Sequence, residues 1–287
     1  MSIATKEQKV KSILDIYRNR DPVFGYRYVA DPYLGCSQQC TYCANPIELE
    51  TQTVQVRLNA AEVLSRQLVK KSRETVGIGY KCDPYMPLEK HYLITHDLLQ
   101  VLAVQGFPVH IKTRSTLVLR DKKILQEIAS KTMASVTFEF CSPFISLAKQ
   151  LEPNVPSPIK RFNALHNLAS KGVTCGVALN PILPFIGDDQ KGIKQIIIAA
   201  KESGASYILK APLSIASKHE RAFLAFLETN YRELVQPYRF LYGREGIVPD
   251  SYWQPINEMI ETLAREQGMR CEAPYWTEVQ SKQLSLF

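Results

Sequence analysis

Apolar residues recur along the chain at two spacings. Short runs rich in Val, Ile, Tyr and Phe read as strands at Tyr26–Leu34, Thr75–Tyr80, Pro108–Lys112, Ala134–Phe140, Val173–Leu179 and Ala205–Leu209. Between them, Ala60–Lys71, Tyr92–Gln105, Lys122–Lys131, Pro158–Lys171 and Lys191–Ser203 place apolar residues three and four apart, the mark of an amphipathic helix. Strands separated by helices of this length indicate βαβ units and a parallel sheet. Six such units fall short of the eight that close a full barrel. The pattern also predicts a helical lead at about residues 5–18 and helices at Lys218–Val235 and Gln254–Gln267. The chain thus divides into an N-terminal lead (1–22), an α/β core (23–211) and a C-terminal helical extension (212–287).

Composition narrows the class. The 287 residues are 45% hydrophobic, ordinary for a globular protein with a sizeable core. No stretch approaches the roughly 18 apolar residues of a membrane span, and the polar opening MSIATKEQKVK lacks the pattern of a signal peptide. Seven cysteines, an odd number, do not look like a disulfide framework, so a reducing cytoplasm is expected. The net charge of +7 is compatible with a polyanionic partner.

Three of the cysteines stand close together. Cys36, Cys40 and Cys43 have C-x3-C-x2-C spacing, directly after the first strand-like run. Thiolates suit iron–sulfur clusters or zinc. A structural zinc site wants four ligands, whereas the loop supplies three. Three thiolates can hold a cubane cluster and leave one iron open to an external ligand. A zinc knuckle short of one ligand, or chance clustering, would give the same spacing.

The loop, with Tyr42 directly before its last cysteine, resembles that of the radical S-adenosylmethionine (SAM) superfamily. Four further segments match one branch of it: Asp83-Pro84-Tyr85-Met86-Pro87-Leu88-Glu89; Thr113-Arg114-Ser115 with Leu117 to Asp121; Leu151-Glu152-Pro153-Asn154-Val155-Pro156-Ser157-Pro158; and Pro181-Ile182-Leu183-Pro184. Together they resemble the spore photoproduct lyase-like proteins, often labelled DNA repair photolyases, over roughly residues 24–210. The resemblance implies a partial (β/α)6 TIM-type barrel with the helical extension appended. It also implies a [4Fe–4S] cluster on Cys36, Cys40 and Cys43, with SAM chelating the fourth iron and being cleaved reductively to a 5′-deoxyadenosyl radical. The electron donor is expected to be a flavodoxin or ferredoxin.

The remaining site residues follow from the same resemblance. Arg114 stands where the family has a lysine for the SAM carboxylate, and Lys112 is the alternative on the same face. Tyr42, Glu139, Ser142 and Asn180 are expected to contact SAM. Spore photoproduct lyase carries a hydrogen-donating cysteine at the position of Tyr80, so Tyr80 and Cys82 are the candidate hydrogen-atom donors here.

The chain ends Gln283-Leu284-Ser285-Leu286-Phe287, which resembles the pentapeptide that docks bacterial polymerases and repair proteins on the DNA sliding clamp. The reading that emerges is a radical SAM enzyme acting on DNA. Its alternatives are a radical SAM enzyme acting on RNA, a peptide or a metabolite, and a non-enzymatic iron–sulfur or clamp-binding adaptor.

Overall fold

The computed structural model describes residues 4–43, 53–215 and 220–278. The strands are β1 (Ala4–Gln8), β2 (Leu14–Ile16), β3 (Tyr28–Ala30), β4 (Tyr33–Leu34), β5 (Thr53–Arg57), β6 (Val76–Ile78), β7 (Val109–Thr113), β8 (Ala134–Phe140), β9 (Thr174–Ile182) and β10 (Tyr207–Pro212). The helices are α1 (Ala60–Leu68), α2 (Glu89–Tyr92), α3 (Ile94–Gln105), α4 (Lys122–Lys131), α5 (Ile145–Leu151), α6 (Pro158–Ala169), α7 (Gln190–Glu202), α8 (Glu220–Asn230), α9 (Val235–Tyr242) and α10 (Asp250–Glu266).

The main sheet runs β10-β9-β8-β7-β6-β3-β2. From β3 to β10 every neighbour is parallel and follows chain order, which makes a partial barrel of six parallel strands. Only β2, at one edge, runs antiparallel. A second small sheet, β1-β5-β4, stands beside it. The interior strand β8 is buried at every position, as expected for a strand covered on both faces.

The barrel interior is filled by rings that lie over glycines. The Tyr207 ring occupies the space where a Cβ on Gly176 would sit, 2.2 Å away, and Tyr26 does the same over Gly77 at 2.6 Å. Between them, His110 bonds the Phe24 carbonyl at 2.7 Å and Thr137 at 2.7 Å, and Thr137 meets the Tyr207 hydroxyl at 2.7 Å. The Phe24 carbonyl can only accept, so Nδ1 is the protonated nitrogen that donates to it, and Nε2 accepts from Thr137. Burial lowers the His110 pKa to about 4, so the ring is neutral.

The lead is not helical. Residues 4–8 and 14–16 form strands β1 and β2. The spacing of Val10, Ile13, Leu14 and Tyr17 fits a helix, but distant residues take the backbone groups. Asn59 brackets Val10 through its carbonyl and N–H, the Gln67 amide oxygen accepts from Ile13 and Leu14, and Leu14–Ile16 pair with Tyr28–Ala30. Tertiary pairing overrides a weak local preference here.

The extension is helical, as expected, in three pieces rather than two. Its residues Phe223, Leu227, Tyr238 and Tyr242 form a second apolar cluster with Tyr42, Leu151, Leu183 and Leu213, seating the extension on the cysteine loop. The terminal pentapeptide 283–287 lies outside the described residues.

Candidate active site

A cavity of about 490 Å³ opens at the C-terminal ends of the parallel strands, where barrels of this type gather their chemistry. Cys36, Cys40 and Cys43 line it, together with Tyr80 and Cys82 after β6, Lys112 and Arg114 on and after β7, Glu139 on β8 and Asn180 on β9. Leu213 after β10 and Phe226 of α8 close its apolar side.

The cysteine loop is moored from three directions. Gln38, buried beneath it, donates to Asp83 at 2.9 Å; the Thr41 N–H reaches the Leu151 carbonyl at 2.9 Å; and Asn154 donates to the Gln38 carbonyl at 3.3 Å. The Tyr42 hydroxyl donates to Glu152, and its ring lies beside the Arg114 guanidinium, 5.7 Å from ring centroid to carbon.

Behind the thiols lies a buried ion network. Arg114 donates to Glu139, to Glu152 at 3.3 Å and to the Asn180 carbonyl at 2.8 Å, while its own N–H bonds Asp83 at 2.7 Å. Glu152 also takes Arg161 at 2.6 Å, and Arg161 donates to the Glu139 carbonyl. Glu139 takes the Asn180 amide at 2.6 Å and stands 3.7 Å from the Lys112 ammonium. Burial works against the charge on Glu139, yet Arg114 and Lys112 hold its carboxyl below the usual range. Arg114 is likewise held well above its ordinary value, chiefly by Glu139 against the cost of burial.

The predicted site residues therefore separate. The three cysteines, Tyr42, Tyr80, Cys82, Lys112, Arg114, Glu139 and Asn180 converge on one cavity. Ser142 is not among its lining residues; it is buried, and its hydroxyl accepts from the Phe144 N–H at 3.0 Å. Arg114 has its donors engaged within the protein, which leaves Lys112 as the more available cation.

The motif around Asp83 serves the scaffold. Asp83 accepts from Gln38, Thr113, Tyr85 and Arg114. Glu89 takes Tyr33, the Thr95 N–H at 3.0 Å and Arg120 at 2.6 Å. Asp121 takes Tyr85 at 2.9 Å, His96 at 2.7 Å and Arg120. Burial opposes the charge on Asp121, but Arg120 and His96 hold its carboxyl below the usual range. These residues lock the loops after β6 and β7 together.

Three residues that support the site are not evident from the sequence. Glu152 and Arg161 join strands to loops through a pairing that sequence distance hides, although Glu152 stands in one of the segments quoted above. Asp31 was also missed. Its carboxylate accepts the N–H groups of Gly79, Tyr80 and Lys81 at 2.8, 2.9 and 3.0 Å, fixing the loop that carries Tyr80 and Cys82.

No family model matches the chain. An uncharacterized protein of Mycobacterium tuberculosis is 30% identical over 251 residues, covering 83% of this chain and 74% of that protein. The chain belongs to that family. An uncharacterized protein of Methanocaldococcus jannaschii is 27% identical over 265 residues, covering 90% of this chain and 93% of its own. Among solved structures, spore photoproduct lyase complexed with dinucleoside spore photoproduct superposes with a TM-score of 0.70 at 15% identity, over 93% of this chain and 81% of that one. Streptococcus suis SuiB bound to its precursor peptide SuiA superposes with a TM-score of 0.57 at 14% identity, over 90% of this chain and 50% of that one. The fold is the partial barrel that spore photoproduct lyase and SuiB also have.

The donor set fits an iron–sulfur cluster. Among the described residues, no three His, Cys, Asp or Glu side chains are already drawn together at metal-binding distance. The three thiols nonetheless face one cavity, free of disulfides. Burial pushes the Cys36 thiol up to about 12 and the Cys40 thiol in the same direction. Thiols so placed ionise when a bound cation compensates their charge, and soft thiolates are the ligands that cubane clusters take. Among the described residues, no helix is long and apolar enough to cross a membrane.

Proposed function

We propose that this protein is a radical SAM enzyme acting on DNA, repairing or modifying a nucleotide. The observation that carries this reading is the convergence of Cys36, Cys40 and Cys43 on a cavity whose wall holds a charged cluster of Lys112, Arg114 and Glu139. A [4Fe–4S] cluster held by those thiols would, with S-adenosylmethionine and one electron from the reductant, supply a carbon-centred radical able to abstract hydrogen.

The chain's own residues bind, orient and exclude. Lys112 offers an ammonium to the carboxylate of SAM, and Glu139 with Asn180 offers an acceptor to its amino group. Arg114 holds Glu139 ionised and in place, and is therefore a positioning residue. Leu213 and Phe226 keep water from the apolar side, which protects a radical from side reactions. Cys82 and Tyr80, both on the cavity wall, are the candidate hydrogen-atom donors. In its resting position the Cys82 thiol donates to the Tyr33 carbonyl at 3.1 Å.

DNA is favoured over other substrates by the +7 charge and by the terminal segment Gln283-Leu284-Ser285-Leu286-Phe287. That segment is the proposed contact with the sliding clamp, and a flavodoxin or ferredoxin is the proposed electron donor, in the cytoplasm. The test is anaerobic reconstitution with iron and sulfide, followed by dithionite, SAM and DNA. Formation of 5′-deoxyadenosine, raised by DNA and absent when the three cysteines are changed to Ala, supports the reading. A response to peptide but not to DNA would move the substrate to the class that SuiB binds.

A further inference from the structure

Tyr80 combines a fixed position with an open surface. Its backbone N–H is one of the three held by Asp31. The preceding Gly79 has φ +98°, and a Cβ there would lie 2.3 Å from the Lys112 carbonyl oxygen, so the loop is pressed against β7. The ring stands nearly perpendicular to Tyr17, at 6.0 Å and 73°, and to Tyr26, at 5.8 Å and 84°. Tyr26 in turn fits over Gly77 and packs on Phe24 at 5.9 Å. A ring braced on a braced ring has little freedom left to lose on binding.

Packing alone does not explain this residue. Tyr26 and Tyr33, which pack the interior, are 4% and 0% exposed, whereas Tyr80 is 39% exposed and borders the cavity. Cys82, two residues on, is buried with its thiol directed at a carbonyl.

We infer that Tyr80 is a stacking platform for an extruded nucleobase of the substrate, an inference that rests on the function proposed above. A preorganised aromatic wall accepts any flat ring, and base–aromatic stacking tolerates every base. The +7 net charge favours a base carried on a phosphate backbone over an aromatic side chain of a peptide. Extruding the base brings its carbon atoms within the enclosed part of the cavity, which a stacked duplex cannot do.

Binding tests this without turnover. Anaerobically purified, cluster-loaded protein is titrated, with no reductant, into a short single-stranded oligodeoxynucleotide containing 2-aminopurine, and into a tryptophan-containing peptide. Stacking quenches the 2-aminopurine emission. Wild type, Tyr80→Phe and Tyr80→Trp are expected to quench alike, and Tyr80→Leu to bind roughly 10-fold more weakly. Thermal melts of the variants identify any loss of fold, and the Phe and Trp variants keep the comparison valid if Leu is disruptive. Equal quenching by Tyr80→Leu overturns the inference, as does Tyr80-dependent binding of the peptide alone. Cleavage of SAM by the same preparation is scored separately. If cleavage is intact while base binding ignores Tyr80, this inference fails by itself; if wild type cleaves no SAM, the radical reading fails.

Discussion

The Tyr42 hydroxyl donates to Glu152, a residue 110 positions further along the chain. One hydrogen bond therefore joins the cysteine loop to the Leu151–Pro158 segment, and through Glu152 to Arg161 and Arg114. Arg161 is 0% exposed, so its charge depends on this carboxylate. Removing one partner of a buried pair costs about 3–5 kcal/mol, because the other charge is stranded. Glu152→Ala is expected to lose stability of that size in urea unfolding. Tyr42→Phe, which removes one donor to that carboxylate, is expected to lose about 2 kcal/mol.

The two cations on the β7 side are expected to behave differently. Arg114 is tied to Glu139, Glu152 and Asn180, whereas Lys112 stands 3.7 Å from Glu139 with its side chain 21% exposed. Lys112→Ala is predicted to weaken SAM binding roughly 10-fold or more, the loss of one charge-assisted contact, with little change in melting temperature. Arg114→Ala is predicted to lower the melting temperature as well. Equilibrium dialysis of SAM against the cluster-loaded variants, beside thermal melts, separates the two effects. Equal losses of affinity and of stability in both variants would contradict the assignment.

Much of the barrel was legible in the sequence. Lys122–Lys131 and Ala134–Phe140 have the bounds that the apolar pattern gives, since a periodic helix and a strand with apolar residues at alternate positions each carry their own signal. The lead was illegible because its strands take their hydrogen bonds from Asn59, Gln67 and β3, none of which local spacing reveals. The cysteine trio was legible by spacing, but the partition of its surroundings was not. Glu139 and Asn180 lie near the C-terminal ends of β8 and β9 and Ser142 just beyond β8, and only the structure shows that the first two line the cavity and the third does not. The Glu89–Arg120–Asp121 lock was likewise not legible, because its pairings join two segments 31 residues apart.

That lock gives a prediction of its own. Glu89 is fully buried and paired to Arg120, and it lies outside the cavity lining. Glu89→Gln is expected to destabilise the fold by about 2 kcal/mol or more through weakened charge-assisted bonds. The affinity of the folded fraction for SAM should remain within about twofold, a difference of under 0.5 kcal/mol. A large fall in SAM affinity at unchanged stability would place Glu89 among the ligand contacts instead.

Acid should weaken the fold through His110. Its folded pKa is lowered to about 4 from an ordinary 6.5, so between these values the unfolded chain binds a proton that the folded chain refuses. The stability this neutral ring contributes is present above pH 6.5, falls as the pH drops toward 4, and changes no further below that. The loss across the window is about 3 kcal/mol. Urea unfolding at pH 7 and at pH 4.5 should show a drop that shrinks in His110→Asn.

The account stands most directly on the electron paramagnetic resonance spectrum of the anaerobically reconstituted, dithionite-reduced protein, recorded with and without SAM. A three-cysteine cluster with one open iron predicts a [4Fe–4S]⁺ signal whose g-values shift when SAM is added, and no such signal once Cys36, Cys40 and Cys43 are changed to Ala. A zinc-loaded loop, or a cluster signal that SAM leaves unchanged, would contradict it.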